Sequence, residues 1–525
     1  MPTEARRQLG RVFSNYARLG ATFLVGIVMT RLQIRWLGIE GFGLIALLMA
    51  TMGLGTLFND LSRQSLVREL GQWRRSDEAR FLRAYNSSFV LSTAMGGLTF
   101  AALLVVFLIL PLLKIDADLL NAARIFVIAR AVRQTAQALA RPTMSMMIVD
   151  ERFGLHNTIV TLMRINDLIA AASLFFLFAV TDRAAAVALF GVVPAGLNII
   201  LLMLVVAYIW RTDPSLIPNP RLIHRDTLRD IGGTFGWNAG VILAANLHER
   251  AASIIMNIAF GLWGSAVFGL SFRLVSYVRM GTMGMTFGID ASATRMSAEN
   301  NQARLRRLLE FATRSHAMVA LPAAAVVIAL PGPLLWLWIG TLSAESPPVL
   351  PAAAGLARLM MVALAARAIS DGWLRILYGA GHVRAYAKVI LLGGLLSPPL
   401  SILLIVVLPS ELAYTAVGWS YLTLILIFHC GVAPMLGARR LDLAYRDFVA
   451  PVLRPALAAA APAPVLLLEP WAVRISGAPA IGLLATLGAY GVLYSVMVLL
   501  IVLSRAERAR FSSAALRRLR AITGH

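Results

Sequence analysis

Apolar runs of about twenty residues or more, separated by short polar turns, fill this chain from near its start to near its end. A helix of that length crosses the roughly 30 Å hydrocarbon core of a bilayer. Hydropathy predicts fourteen spans. Seven lie at 14–36, 41–62, 84–113, 119–141, 157–180, 184–209 and 231–258, and seven at 264–290, 312–339, 352–378, 386–408, 412–435, 450–471 and 479–503. Pro142, Pro194, Pro322, Pro331 and Pro333 are expected to bend or end helices near them. The longest connections, 63–83, 210–230 and 291–311, are too short to fold as separate domains. The expected fold class is all-α, a polytopic membrane protein.

Composition agrees. Of 525 residues, 59% are hydrophobic and 14% charged, and the mean hydropathy is +0.75, whereas soluble domains carry about 25% charged residues. The formal charge is +22, and only Lys114 and Lys388 are lysines, so arginine supplies nearly all of the positive charge. Placement explains the excess. Arginines crowd into 63–83, 211–229, 295–307, 439–446 and the tail at 505–520, while the alternate connections hold little beyond Lys114, Arg183 and Arg474. Short loops rich in Lys and Arg stay cytoplasmic, so both termini are expected inside and the number of spans is expected to be even. A nucleic-acid surface would gather these charges on one face beside aromatic residues; here they are scattered, and no nucleic-acid partner is expected. The single cysteine, Cys430, excludes an intramolecular disulfide and a multi-cysteine metal site. His248 has no second histidine one helical turn away, so neither metal nor other cofactor is expected. The first run lacks a cleavage site and reads as a retained helix. The tail at 504–525 repeats Arg with Ala and Leu at helical spacing, which fits a segment on an anionic leaflet or a solvated basic end.

Two motifs recur six spans apart. Leu37-Gly38-Ile39-Glu40-Gly41-Phe42-Gly43-Leu44 follows the first span, and Phe260-Gly261-Leu262-Trp263-Gly264 with Phe268-Gly269-Leu270 follows the seventh. Glu151-Arg152-Phe153-Gly154 joins the fourth span to the fifth, and Gly381-His382-Val383-Arg384-Ala385-Tyr386 joins the tenth to the eleventh. An even spacing preserves orientation, so the reading is two parallel six-helix bundles related by a pseudo-twofold axis, with a substrate site between them. The competing reading is convergent glycine-rich turns in a chain with 40 glycines. The expected divisions are 1–210 for the first bundle, 211–436 for the second, and 437–525 for two additional spans and the basic tail.

Asn15-Tyr16 leading into Arg31, then Trp36-Leu37-Gly38, Gly41-Phe42-Gly43-Leu44, Asn59-Asp60 and the Arg63 loop resemble the opening of bacterial polysaccharide flippases of the Wzx type. The Glu151-Arg152-Phe153 turn with Asn157, and Gly379-Ala380-Gly381-His382, resemble that family's corresponding turns. These motifs are diffuse and mark the wider multidrug/oligosaccharidyl-lipid/polysaccharide exporter superfamily better than a substrate. The resemblance implies alternating access in the bacterial inner membrane and export of a polyprenyl-diphosphate-linked oligosaccharide for O-antigen or exopolysaccharide synthesis. It implies membrane lipids, a polysaccharide polymerase and glycosyltransferases as partners.

An arginine at the bilayer centre costs about 2.5–3.5 kcal/mol on the insertion scale and is normally confined to a cavity, a pair or a helix end. Arg130, Arg133, Arg164, Arg250, Arg273, Arg279 and Arg367 lie within predicted spans, against Asp167, Glu249 and Asp371. Guanidinium groups bind phosphate oxygens through paired hydrogen bonds. The candidate substrate site is therefore a cationic cavity of Arg18, Arg31, Arg130, Arg250, Arg273 and Arg367. Arg250 leads, because Asn246, Glu249, Arg250, Ser253 and Asn257 form one polar stripe, matched in the first helix by Asn15, Arg18, Thr22, Gly26, Thr30 and Gln33. Arg18, Arg31, Arg35 and Arg124 lie near helix ends and read first as snorkelling residues. Asp167, Glu249 and Asp371 are candidate coupling carboxylates, or partners of Arg164, Arg367 and Arg375 in intrahelical pairs. Tyr16, Trp237, Tyr277 and Trp373 read as sugar-stacking residues or interfacial anchors.

No phosphate-binding glycine loop, pair of carboxylates on a polar loop, or nucleophile with histidine is recognisable, so no catalytic residue is named and a transporter is expected rather than an enzyme. A multidrug exporter or a peptidoglycan-precursor flippase of the same fold is the alternative. An inner-membrane glycan ligase or glycosyltransferase stands behind both.

Overall fold

The computed structural model describes residues 2–55, 70–71, 73–74, 76–224, 226–228, 236–283, 289–299, 301–340, 349–505 and 507–508. The described secondary structure is helical. In chain order the helices are α1 (Pro2–Gly55), α2 (Glu78–Ile109), α3 (Ala117–Val149), α4 (Phe153–Ala172), α5 (Arg183–Thr212), α6 (Gly236–Asn246), α7 (Ala252–Met283), α8 (Ile289–Ala298) and α9 (Gln302–Ala329). They continue with α10 (Pro331–Ile339), α11 (Val349–Gly379), α12 (Val383–Val407), α13 (Ala416–Leu424), α14 (Ala433–Leu441), α15 (Tyr445–Ala460), α16 (Glu469–Ser476) and α17 (Pro479–Met497). Polar residues at the breaks start several of them. The side chains of Asp77, Asp182 and Asn301 accept from the backbone N–H groups of Arg80, Ala185 and Arg304 at 2.9, 2.6 and 3.1 Å, satisfying donors that an unstarted helix leaves bare.

Among the described residues eleven helical stretches are long and apolar enough to cross a membrane. Fourteen spans were expected from hydropathy, and the difference has two physical sources. The first two expected spans join end to end through Gly38 with no loop between them, and the seventh and eighth do the same through Gly261. α3 has ample length at 33 residues but carries Arg124, Arg130, Arg133 and Arg141, and its polarity keeps it out of the eleven. Pro142, Pro194 and Pro322 are accommodated inside α3, α5 and α9, while α9 stops just before Pro331. Large apolar side chains such as Leu112, Phe176, Val406 and Leu500 point outward. A surface this apolar is stable against lipid and not against water.

The backbone repeats at both duplicated motifs. Gly38 and Gly261 each break a helix with positive φ, 73° and 66°, a conformation that glycine adopts without steric cost. The turns before α4 and α12 also match bond for bond. The N–H groups of Asp150, Glu151 and Arg152 reach the carbonyls of Met146, Ile148 and Met147, and those of Ala380, Gly381 and His382 reach Ile376, Tyr378 and Leu377, at the same backward offsets. Glu151 and Gly381 hold the left-handed position, φ 61° and 82°, as in a Schellman helix end.

Packing divides the chain into two compact units. The first comprises Met1–Ser271, Trp338–Ala353 and Ala387–Leu424, and the second Phe272–Leu337, Ala354–Tyr386 and Ile425–His525. In the first unit α3 packs between α2 and α5, and α4 packs on α1 and α5. Its core includes Leu37, Leu44, Phe126, Val127, Phe190 and Leu262. Burial against lipid gains little hydrophobic energy, so close steric fit must hold these helices together. Gly191 shows that fit: an added Cβ would come within 2.7 Å of the Cα of Phe126.

At one end of this unit Arg74 clamps the α3–α4 turn to the end of α5. Its Nε lies 3.0 Å from Asp150 Oδ1 and its Nη2 2.9 Å from Asp213 Oδ2. Partial burial alone would raise the Asp213 carboxyl, but the Ser215 hydroxyl and the Arg74 guanidinium outweigh it and hold it below the usual carboxylate range. The stabilisation from Asp213 is therefore complete above the ordinary carboxylate pKa and is lost as pH falls through the lowered value. Elsewhere, Asn257 accepts from the backbone N–H of Lys114 at 3.0 Å and donates to its carbonyl at 3.3 Å, tying the α2–α3 connection to α7.

In the second unit α9 packs on α15. The Trp373 indole donates to Thr313 Oγ1 at 2.9 Å, Ser370 Oγ pairs with His429 Nδ1 at 2.9 Å, and Arg306 donates to Asp447 at 2.7 Å. Leu330, Leu466, Leu483 and Tyr490 form a further apolar cluster.

Candidate substrate site

Arg130 and Arg133 stand three residues apart on α3 and so share a face. Both are buried, and they converge on Asp167 of α4. Arg133 grips both carboxylate oxygens, with Nη1–Oδ1 at 2.7 Å and Nη2–Oδ2 at 3.4 Å. Asn198 of α5, fully buried, donates from Nδ2 to the same Oδ1 at 3.0 Å and to the Pro194 carbonyl at 2.8 Å.

Arg130 is held differently. Its nearest approach to Asp167 is 3.9 Å, beyond hydrogen-bond distance, and its Nε has no hydrogen-bond partner among the described residues. The guanidinium lies 5.3 Å from the Phe126 ring centroid and 5.8 Å from that of Phe190. Two aromatic faces thus partly offset its charge, while its planar fork of donors is left open. One carboxylate serves two buried cations, and the cluster carries a net positive charge. Chemically it is prepared to accept an anion.

The other candidates fall in separate places. Arg18 is half-buried on α1. Arg31 is exposed; its Nη1 donates to the Trp338 carbonyl at 3.5 Å, and the Trp338 indole donates back to the Ile27 carbonyl at 3.0 Å. Arg250 sits in a π-helical turn, Leu247–Ala251, between α6 and α7, a distortion frequent at functional sites. It donates to Asn246 Oδ1 through Nε and to the Met49 carbonyl at 3.3 Å through Nη1, lying in the space above Gly53 that any side chain would fill. Within the stripe Asn246, Glu249, Arg250, Ser253 and Asn257, Arg250 meets α1 and Asn257 is engaged with Lys114. Glu249 is half-buried. Arg273 is half-buried and Arg367 buried, both in the second unit, where Asp371 lies 3.9 Å from Arg279 of α7.

Two readings of the sequence change, and one residue is added. Asp167 pairs across helices with Arg133, whereas Arg164, its expected partner one turn earlier, is exposed and makes no ion pair with it among the described residues. Asn198 went unnoticed; its signal was a lone amide in an otherwise apolar run. Trp373 is neither a sugar platform nor an interfacial anchor, because it is buried against Phe448 with its N–H bonded to Thr313. Tyr16 and Trp237 lie outside the described side chains, and no group of residues fit to hold a metal occurs among the described ones.

Together these features define an all-α polytopic membrane fold with a buried, cation-rich polar cluster. No family model matches the chain, and no curated protein matches its sequence. Solved structures do match. An inward-facing multidrug resistance MATE family transporter of the MOP superfamily superposes with a TM-score of 0.67 at 13% identity, covering 82% of this chain and 98% of its own. The lipid II flippase MurJ, in an inward closed conformation, superposes at 0.64 and 12% identity, covering 93% and 99%. The Vibrio cholerae MATE transporter VcmN in its bent form gives 0.53 at 15% identity, covering 85% and 99%. At these identities the likeness establishes the fold. It is broader than the polysaccharide flippases that the sequence motifs resemble.

Proposed function

We propose that this chain is an alternating-access transporter and that its substrate is a lipid-linked glycan diphosphate, either a peptidoglycan precursor or an oligosaccharide destined for a surface polysaccharide. The single observation that carries the substrate class is Arg130. A buried guanidinium beside a carboxylate already engaged by Arg133 and Asn198 is stabilised when a phosphate enters, because the anion relieves both desolvation and repulsion. The remaining candidates, Arg18, Arg31, Arg250, Arg273 and Arg367, are secondary sites for mutation in the same assay, and Asp167, Glu249 and Asp371 are candidate charge partners or coupling groups.

Splitting α1 at Gly38 and α7 at Gly261, and adding α3, turns eleven stretches into the fourteen spans of the sequence reading. The duplicated backbone motifs support a reading as two six-helix bundles at 1–210 and 211–436 with two further spans in 437–525. The likeness to MurJ covers about a tenth more of this chain than the likeness to the first MATE transporter. This fuller coverage supports the lipid-linked reading. The arginine distribution supports a bacterial inner membrane location with both termini cytoplasmic. With Cys430 replaced, single cysteines at Ser76 and Ser410 label from the inside and the outside respectively. Labelling of both from one face refutes this orientation.

A second reading, multidrug export, is favoured by the superposition on the MATE transporter. Purified protein in liposomes separates the two. A fluorescent lipid-linked glycan diphosphate is expected to change leaflets without nucleotide, and an organic-cation dye is not expected to cross. Transport of the dye alone establishes multidrug export, and stoichiometric ATP consumption by the isolated chain overturns the mechanism.

A further inference from the structure

A groove of about 690 Å³ opens on the outer side of α2, α3 and α5, away from the Arg130–Asp167 cluster. Phe107 of α2, Ile125, Ile128 and Val132 of α3, and Val192 and Ile199 of α5 line it. Ile125, Val132 and Val192 are each more than two-fifths exposed, so on a spanning bundle they face acyl chains. From Asn121 to Val132 the wall is about 16 Å long at 1.5 Å per residue, close to the roughly 15 Å depth of one leaflet's hydrocarbon.

Polarity is confined to one end. Asn121 and Arg124, in the first two turns of α3, are the polar residues of the lining. The Arg124 guanidinium lies 5.5 Å from the Phe107 ring centroid, and its Nη1 makes a long contact of 3.5 Å with Asn121 Oδ1. Its Nε is buried with no hydrogen-bond partner, and no carboxylate pairs with it among the described residues. Snorkelling accounts for where Arg124 points and leaves it without an anionic partner among the described residues. We infer that this groove is a lipid site, holding one acyl chain of an anionic phospholipid with the phosphate on Arg124. The one-leaflet length suits an acyl chain, and the cation at the polar end selects a lipid with net negative charge. This inference is independent of the transported substrate.

The test uses the full-length protein in vesicles doped with phosphatidylglycerol or phosphatidylcholine carrying the same photoreactive acyl chain. Crosslinks are mapped by mass spectrometry, and folding is checked by thermal unfolding. Phosphatidylglycerol is expected to label Ile128, Val132 or Ile199 about fivefold more than phosphatidylcholine, the size of one interfacial cation's preference. Arg124→Gln brings that ratio to about one. Gly196→Leu fills the groove, since a Cβ at Gly196 meets nothing within 4 Å, and abolishes labelling by both lipids. Equal labelling of the wild type, an unchanged ratio in Arg124→Gln, or undiminished labelling in Gly196→Leu overturns the site. Displacement of phosphatidylglycerol by an equimolar lipid-linked glycan diphosphate overturns the assigned occupant. The two variants probe charge and space separately, so either one suffices if the other fails to fold.

Discussion

Replacing Arg130 by methionine is expected to lower the rate of lipid-linked glycan transfer in liposomes by one to two orders of magnitude while leaving abundance and thermal stability unchanged or raised. A hydrogen bond to a charged group contributes about 1.5–3 kcal/mol, which is a factor of roughly ten to a hundred in binding. The direction of the stability change follows from the local charge count. Arg130 is the cation left over once Arg133 and Asn198 have engaged Asp167, and methionine keeps much of its volume between Phe126 and Phe190 without the desolvated charge. Arg130→Lys is expected to recover part of the activity, because an ammonium restores charge and not the bidentate fork. Full transport by Arg130→Met at normal abundance removes the cluster from the substrate path. Arg250, first choice on sequence alone, is a poorer probe: its hold on the Met49 carbonyl confounds loss of binding with loss of helix seating.

The opposite substitution is expected to act on folding. Asp167→Ala leaves Arg130 and Arg133 buried together without a counter-charge, and removing one partner from a buried ion pair typically costs about 3–5 kcal/mol. Much of that loss is the penalty on the charges left behind. The double variant Arg133→Met, Asp167→Leu therefore recovers most of it, since it removes the gripping pair together. Thermal unfolding of the purified variants in detergent measures both. An Asp167→Ala protein as stable as wild type shows that the arginines reach water or another anion in the folded state, and that the cluster is wetter than its burial indicates. This test is separable from the transport assay, because thermal unfolding reads the loss and recovery of the ion pair without substrate and the double variant keeps Arg130.

Sequence alone determined the features that depend only on neighbours along the chain. Apolar run length set the spans, the positive-φ positions now seen at Gly38, Gly261 and Gly381 fell at glycines already marked as breaks or turns, and the count of intramembrane arginines against three carboxylates implied surplus positive charge. The tertiary structure alone decided which arginines are held and which are open. Arg164 and Arg133 are both within reach of Asp167 by composition; the choice between them depends on how α3 and α4 are rotated about their axes. That rotation is set by steric fit, such as Gly191 on Phe126. In lipid, where every apolar face is equally welcome, hydropathy does not specify it. The same limit hid Trp373 in the core, joined Asn257 to Lys114, and placed Asn198 beside a carboxylate 31 residues away. Helix existence is a local property and readable in a string of residues, whereas the facing of a helix in a membrane is a property of all its neighbours at once.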